Sequence, residues 1–451
     1  MSLLSETFEE SSDPSVSFNT GSLFDLATGG FEQGKDGKMY LTGGLGCQFT
    51  GIVGRNSNFK STMAASLAMR AANIYNDVGM IVLDTEDSLL RDRERVLGMS
   101  EELGRLDEDS IIWLSGANIP LEDFDSLLMD HCEKKEAKRK DLMIETPFLD
   151  KNNKPIMKIA PTFIFIDSLS EMFTGTEAEI TDELHGTRSG LDDGKSNTVF
   201  MKDGNRKTLW TRSLRRRCEK YGLVMVITGH YAEKMQLDMY HPNPKETLFG
   251  QQNWTVKGVG SKFKFLASIY ARTVASILVD SNKEAMYAKG NTPASDIFEV
   301  NMYLDRCKGA IAGSCTSYVC SQTSGLLNAV TYYHYIRSHE YYGCNGNKQK
   351  QQLKIMPDIT ISRNTIRQLT DSDAKLRRAL ELTAHLCYVT GNYEVLPCNK
   401  DPNKLFDWLI SDHNKDLKEE ILNSRGYWTY KDDGKQYYSI FDVLDIYNQK
   451  G

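Results

Sequence analysis

An α/β fold with a central, mostly parallel sheet is what this sequence predicts, and two observations carry the expectation. Four apolar runs, in Phe49 to Val53, Gly79 to Glu86, Thr162 to Ser168 and Gly222 to His230, alternate with helix-like segments, and the last three close on polar or acidic residues. That is how buried parallel strands joined by crossover helices read, with ligands placed at the carboxyl ends of the strands. The second observation is a polar loop set between the first run and the first helix: Gly54, Arg55, Asn56, Ser57, Asn58, Phe59, Lys60, Ser61 and Thr62. A strand, a tight loop and a helix start in that order make a phosphate cradle, because backbone N–H groups and the helix dipole face the anion.

Within the cradle, Lys60 is a point charge for terminal phosphates and Ser61 a hydroxyl ligand for Mg²⁺. The general pattern has Gly where this chain has Phe59, a residue that tolerates positive φ poorly. Met63 to Tyr75 continues as a helix. The second run ends in Asp84-Thr-Glu86, and Leu89 to Glu102 follows with helical spacing and alternating charge. The charge run Glu133 to Asp141 reads as a solvated helix face passing into a loop. The third strand closes on Asp167. Residues 174 to 206 are polar and Gly-rich without periodicity, a mobile loop or insertion. Thr208 to Tyr221 is a basic helix, the fourth strand ends at His230, and Tyr231 to Lys264 is again irregular. Strand-like segments at Ile297 to Leu304 and Thr316 to Cys320 close this part.

Beyond Gly325 the texture becomes helical and Tyr-rich, at Leu326 to Tyr342 and Ala374 to Val389. Gly426 to Tyr430 and Gln436 to Ser439 read as a hairpin around Asp433-Gly434. The expected organisation is a flexible arm over 1–16, a phosphate-binding α/β core over 17–325 and a smaller C-terminal α/β domain over 326–451.

Composition narrows the function classes. No apolar run approaches the eighteen or so residues of a membrane span, and the N-terminus lacks a basic region followed by an apolar core, so a soluble, cytoplasmic protein without membrane partners is expected. Nine cysteines without CxxC pairs or Cys/His clusters argue for reduced thiols rather than zinc or disulfides. A net charge of −7 excludes a generally basic surface but leaves room for nucleic acid held by local loops.

Hydrolysis of a nucleotide needs a lysine on the phosphates, a carboxylate for Mg²⁺ and a group that orients water. Lys60, Asp167 and Glu86 each sit at or just beyond the carboxyl end of an expected strand, so Asp167 takes the metal role and Glu86 the base. His230 ends a strand beside those acids, where it can sense a terminal phosphate and reorder the loop behind it. Basic residues collect twice: Arg212, Arg215 and Arg216 on one helical face with Lys207 nearby, and Lys257, Lys262 and Lys264 around Trp254. Cations for phosphates and an aromatic for bases suit nucleic acid.

Taken together, these residues resemble the RecA-type recombinases, and among them the phage UvsX proteins. The resemblance runs over about 17–325 through Asn19 to Gly29, Phe59-Lys-Ser61, Asp84-Thr-Glu86, Phe165 to Leu169 and Ile227-Thr-Gly-His230. It implies a RecA-like P-loop core, ATP and Mg²⁺ as cofactors, Glu86 as general base, and His230 as the sensor at the root of the second DNA loop. It also implies that 174–206 and 231–264 are the two DNA loops, and that Arg93 stands where an aromatic usually stacks on adenine. Asp305-Arg-Cys-Lys308 matches the place of two cations, Arg306 and Lys308, that reach a neighbouring subunit's nucleotide. The implied activity is DNA-dependent ATP hydrolysis in a helical filament on single-stranded DNA that pairs it with homologous duplex DNA, in a host cell's cytoplasm if phage-encoded. A ring-forming RecA-fold motor such as a hexameric DNA helicase is the alternative.

Overall fold

The computed structural model describes residues 16–75, 79–86, 108–116, 119–175, 193–233, 254–259, 262–290 and 296–450. Its main sheet is built from β1 (Phe49–Gly54), β2 (Met80–Asp84), β3 (Ile111–Ser115), β4 (Thr162–Asp167), β5 (Leu223–Glu233), β6 (Trp254–Val256), β7 (Ile269–Ile277), β8 (Ile297–Cys307), β9 (Cys315–Ser321) and β10 (Gly325–Leu326). The spatial order is β10-β9-β8-β7-β1-β5-β4-β2-β3, with β6 paired to the far end of β5. From β7 through β1, β5, β4 and β2 to β3 every pairing is parallel, whereas β7, β8, β9 and β10 run antiparallel to one another.

Alternation along the strands divides the core in two. Ile52, Val82, Phe163, Phe165, Val224 and Val226 face one side, where α1 (Lys60–Tyr75) packs. Val53, Leu83, Ile164, Ile166, Met225 and Ile227 face the other, covered by α2 (Leu121–Ala137) and α3 (Asp193–Tyr221) with the short α4 (Phe263–Leu266). Strands buried on both faces explain the unbroken apolar runs. No described helix is long and apolar enough to cross a membrane.

The α1-side core runs without a break into the C-terminal segment. There α5 (Asn328–Ser338) and α6 (Ala374–Asn392) supply Tyr332, Tyr333, Leu380 and Leu386 to the same cluster as Ile52 and Met63. A separate three-stranded sheet, Cys344–Gly346, Gln351–Leu353 and Met356–Ile361, lies between those helices in sequence. At the other end of the chain, Phe18 meets Tyr75 at 4.9 Å and Trp428 at 5.7 Å between ring centroids. The Tyr75 hydroxyl donates to the Trp428 carbonyl at 2.6 Å.

Several sequence expectations change. The helix expected from Thr208 begins at Asp193, so 193–206 is not loop. Its buried stripe starts with the charged residues Asp203 and Lys207 before reaching Trp210, Thr211, Leu214 and Cys218, and charged residues hide a helical period. The irregular stretch after His230 begins as strand: Tyr231, Ala232 and Glu233 pair with Val256, Thr255 and Trp254. Strand β7 was not anticipated. The charge run 133–141 is solvated except at Lys135, which is buried and donates to the Ala160 carbonyl at 2.7 Å, Thr162 Oγ1 at 3.0 Å and the Gly222 carbonyl at 3.3 Å. No hairpin forms over 426–439: the one bridge there, Arg425 to Tyr437, is parallel, and Trp428 is spent on the core. The expected helix Leu89 to Glu102 lies outside the described residues.

Candidate nucleotide site

The loop between β1 and α1 is shaped by its neighbours. Gly54 pairs with Thr273 of β7, and a Cβ on Gly54 would sit 2.8 Å from Thr273 Oγ1, so no larger residue fits there. Ser57 and Phe59 both adopt left-handed backbone, at φ +62° and +58°. Phe59 keeps this conformation with its ring 4.4 Å from that of Phe298 in β8. Helix α1 then begins at Lys60, and the Met63 N–H already bonds the Phe59 carbonyl at 2.9 Å. Arg55, Asn56 and Ser57 are exposed, Asn58 and Ser61 half-buried, and Lys60 and Thr62 buried.

Three adjacent parallel strands bring the acids and histidine to this loop. Ser61 Oγ donates to Asp167 Oδ1 at 3.0 Å, and Thr228 Oγ1 donates to the same oxygen. The other oxygen, Asp167 Oδ2, is buried with no hydrogen-bond partner. Burial pushes the Asp167 carboxyl up, while Thr228, Lys60 and Ser61 pull it down. Glu86 Oε1 lies 2.6 Å from His230 Nε2. That hydrogen bond, opposed by burial and reinforced by Lys60, holds the Glu86 carboxyl at about 2, so it is ionised near neutral pH. His230 is fixed from behind, its N–H donating to Ser170 Oγ at 2.9 Å. Thr85 bridges the strands: its N–H donates to the Asp167 carbonyl at 2.7 Å and its hydroxyl accepts from the Ser168 N–H at 2.7 Å.

Lys60, Ser61, Glu86, Asp167 and His230 therefore share one location. Among the described residues, no group of three or more His, Cys, Asp or Glu side chains could hold a metal alone. Mg²⁺ asks for less, one or two protein oxygens with phosphate oxygens and water completing the shell. The unpartnered Oδ2 of Asp167 beside the Ser61 hydroxyl fits that demand.

Other candidates lie elsewhere. Arg306 pairs with Tyr270, which pairs with Gly51, so its backbone stands three residues, about 10 Å of strand, below the level of Gly54. Its guanidinium donates to the Phe265 and Lys264 carbonyls. Lys308 donates to Gln48 Oε1 at 2.8 Å, and burial, Arg215 and Arg306 push its ammonium down. Both cations thus occupy the amino end of the sheet, away from this chain's own cradle. Arg215 lies there too, so the arginine face of α3 and Lys257 do not form one surface: Lys257 pairs with Glu171 at 2.9 Å beyond the carboxyl end of the sheet. Arg212, Arg215, Arg216 and Lys262 are exposed, and Lys264 half-buried. Lys207 corrects an expectation: it is buried and bound to Asp203 at 2.9 Å, so it presents no charge to a ligand. Arg93 and the Trp254 side chain lie outside the described residues.

Thr228, Thr85, Ser170 and Phe298 have roles here that the sequence alone does not assign. Three isolated hydroxyl residues carry no pattern, but Thr228 stands two residues before His230 on the same strand and so faces the same way. No protein-family model matches the chain, and a search of curated proteins likewise returns no match.

Proposed function

We propose that the chain is an ATP-hydrolysing, single-stranded-DNA-binding recombinase of RecA type, similar to the phage UvsX proteins, which forms helical filaments and catalyses homologous pairing and strand exchange. The observation that carries this reading is the convergence of Ser61 on Asp167 at 3.0 Å and of Glu86 on His230 at 2.6 Å, beside Lys60, at the carboxyl ends of three neighbouring parallel strands. Such a constellation suits phosphoryl transfer to water. Lys60 and the N–H groups opening α1 would bind the β- and γ-phosphates, and Ser61 and Asp167 would hold Mg²⁺, which neutralises charge on the phosphates. Ionised Glu86 accepts a proton from water and orients it for in-line attack.

His230 has two competing partners in this scheme, Glu86 and the terminal phosphate. A bond to the phosphate frees Glu86 for water and pulls on β5, whose end pairs with β6 and leads into 234–253, the heart of the expected second DNA loop. Arg306 and Lys308 face away from this chain's loop, so their part in catalysis is played on the nucleotide of an adjoining copy, in a head-to-tail contact that repeats without closing.

ATP turnover with and without long single-stranded DNA, together with negative-stain microscopy, tests the proposal. DNA-stimulated turnover that is lost in Glu86→Gln, and helical filaments with ATP, are expected. Six-membered rings would favour the motor reading, and equal rates for wild type and variant would overturn both.

A further inference from the structure

Phe59 stands directly before Lys60 with φ +58°, a conformation that a bulky L residue seldom adopts and that glycine adopts freely. Something outside the loop has to hold it. Its ring centroid lies 4.4 Å from that of Phe298 with the planes inclined by 39°, a close tilted stack. Phe298 belongs to β8, between Ile277 and Cys320 on the flanking strands. The Phe59 carbonyl meanwhile accepts the N–H of Met63, so the ring's anchorage is carried directly into the first turn of α1.

We propose that Phe298 is a positioning residue for phosphate binding: its ring clamps Phe59 in the left-handed region and so aims the N–H groups at the start of α1. A tertiary contact here does what an unsubstituted α-carbon does in the general loop pattern. The inference rests on the reading of this loop as a nucleotide site. It adds that nucleotide affinity is controlled from an antiparallel strand, the same strand that carries Arg306 near its other end.

Calorimetric titration of the whole chain with Mg·ADP tests it, using wild type, F298A, F298Y, F59G and the F59G/F298A pair. F298A is expected to weaken binding about tenfold, the scale of one residue's left-handed strain. F298Y, which keeps the ring, stays within about twofold. In the F59G background the F298A change also costs no more than about twofold, because glycine holds φ without a clamp. If alanine prevents folding, judged by thermal melting, F298L makes the same comparison with the ring removed and most of the volume kept. Undiminished binding by F298A overturns the inference, as does an equal loss in both backgrounds. Wild-type protein that binds neither ADP nor ATP overturns the functional reading itself.

Discussion

Asp25 and Glu86 are two carboxyls moved in opposite directions by their surroundings. Asp25 is fully buried at the first turn of helix Leu23–Thr28, and burial pushes it up to about 7 even though Thr20, Gly21 and Ser22 donate to it. A carboxyl raised on folding contributes stability that is complete below its unfolded value near 4 and is lost as pH rises through about 7. Urea denaturation from pH 4 to 7.5 should therefore show stability falling with pH, and Asp25→Asn should flatten that slope. Glu86 behaves in reverse, its contribution present above about 4.5 and lost as pH falls toward 2. His230→Ala removes the largest cause of that depression, so the Glu86 carboxyl should titrate higher by NMR. At this scale the sequence was informative about charge and silent about supports. Lys60 was legible from the polar loop between a strand and a helix, and Glu86, Asp167 and His230 because apolar runs closing on ionisable residues are a recognisable pattern. Thr228, Thr85 and Phe298 were not, since a hydroxyl or ring acquires its role only from a neighbour distant in the chain.

Elements were legible where burial was two-sided. Strands β1, β2, β4 and β5 announce themselves as apolar runs, whereas β7 alternates Ile269, Ala271 and Thr273 with Tyr270 and Arg272. Arg272 is buried beside Asp305, with its guanidinium 4.4 Å from the Tyr303 ring centroid, so a charge stands where a strand face was to be read. The start of α3 was hidden for the same reason, by Asp203 and Lys207. A similar pair ties the antiparallel strands to the C-terminal segment: Arg367 donates to Asp296 at 3.3 Å, both nearly inaccessible, and Asp296 also accepts from Ser321 and Thr323. Removing one partner of a buried pair strands the other, so Arg367→Ala should cost about 3–5 kcal/mol in urea denaturation. Arg367→Met with Asp296→Asn should recover part of that loss.

For the whole molecule, the amino-end location of Arg306 and Lys308 makes a prediction that mixing can test. Arg306→Ala and Glu86→Gln should each be inactive alone. If Arg306 serves the adjoining copy, an equal mixture restores about a quarter of wild-type turnover, the share of contacts that unite an intact Glu86 with an intact Arg306. A mixture with no activity would return the cations to some other task. Trp428 belongs to this scale as well. The Asp433-Gly434 turn signal predicts a hairpin around it, and nothing local reveals that the partners of Trp428 are Phe18 and Tyr75. Trp428→Ala should cost about 3–5 kcal/mol, measured by the same denaturation. This knot also imposes a schedule on biosynthesis. Trp428 Nε1 bonds the Ser17 carbonyl across 411 positions of chain, so the segment at Ser17–Phe18 cannot be sealed until the stretch bearing Trp428 has left the ribosome. At about 5–20 residues per second that wait lasts roughly 20–80 s. Chaperone demand on the nascent chain should fall once the stretch bearing Trp428 emerges.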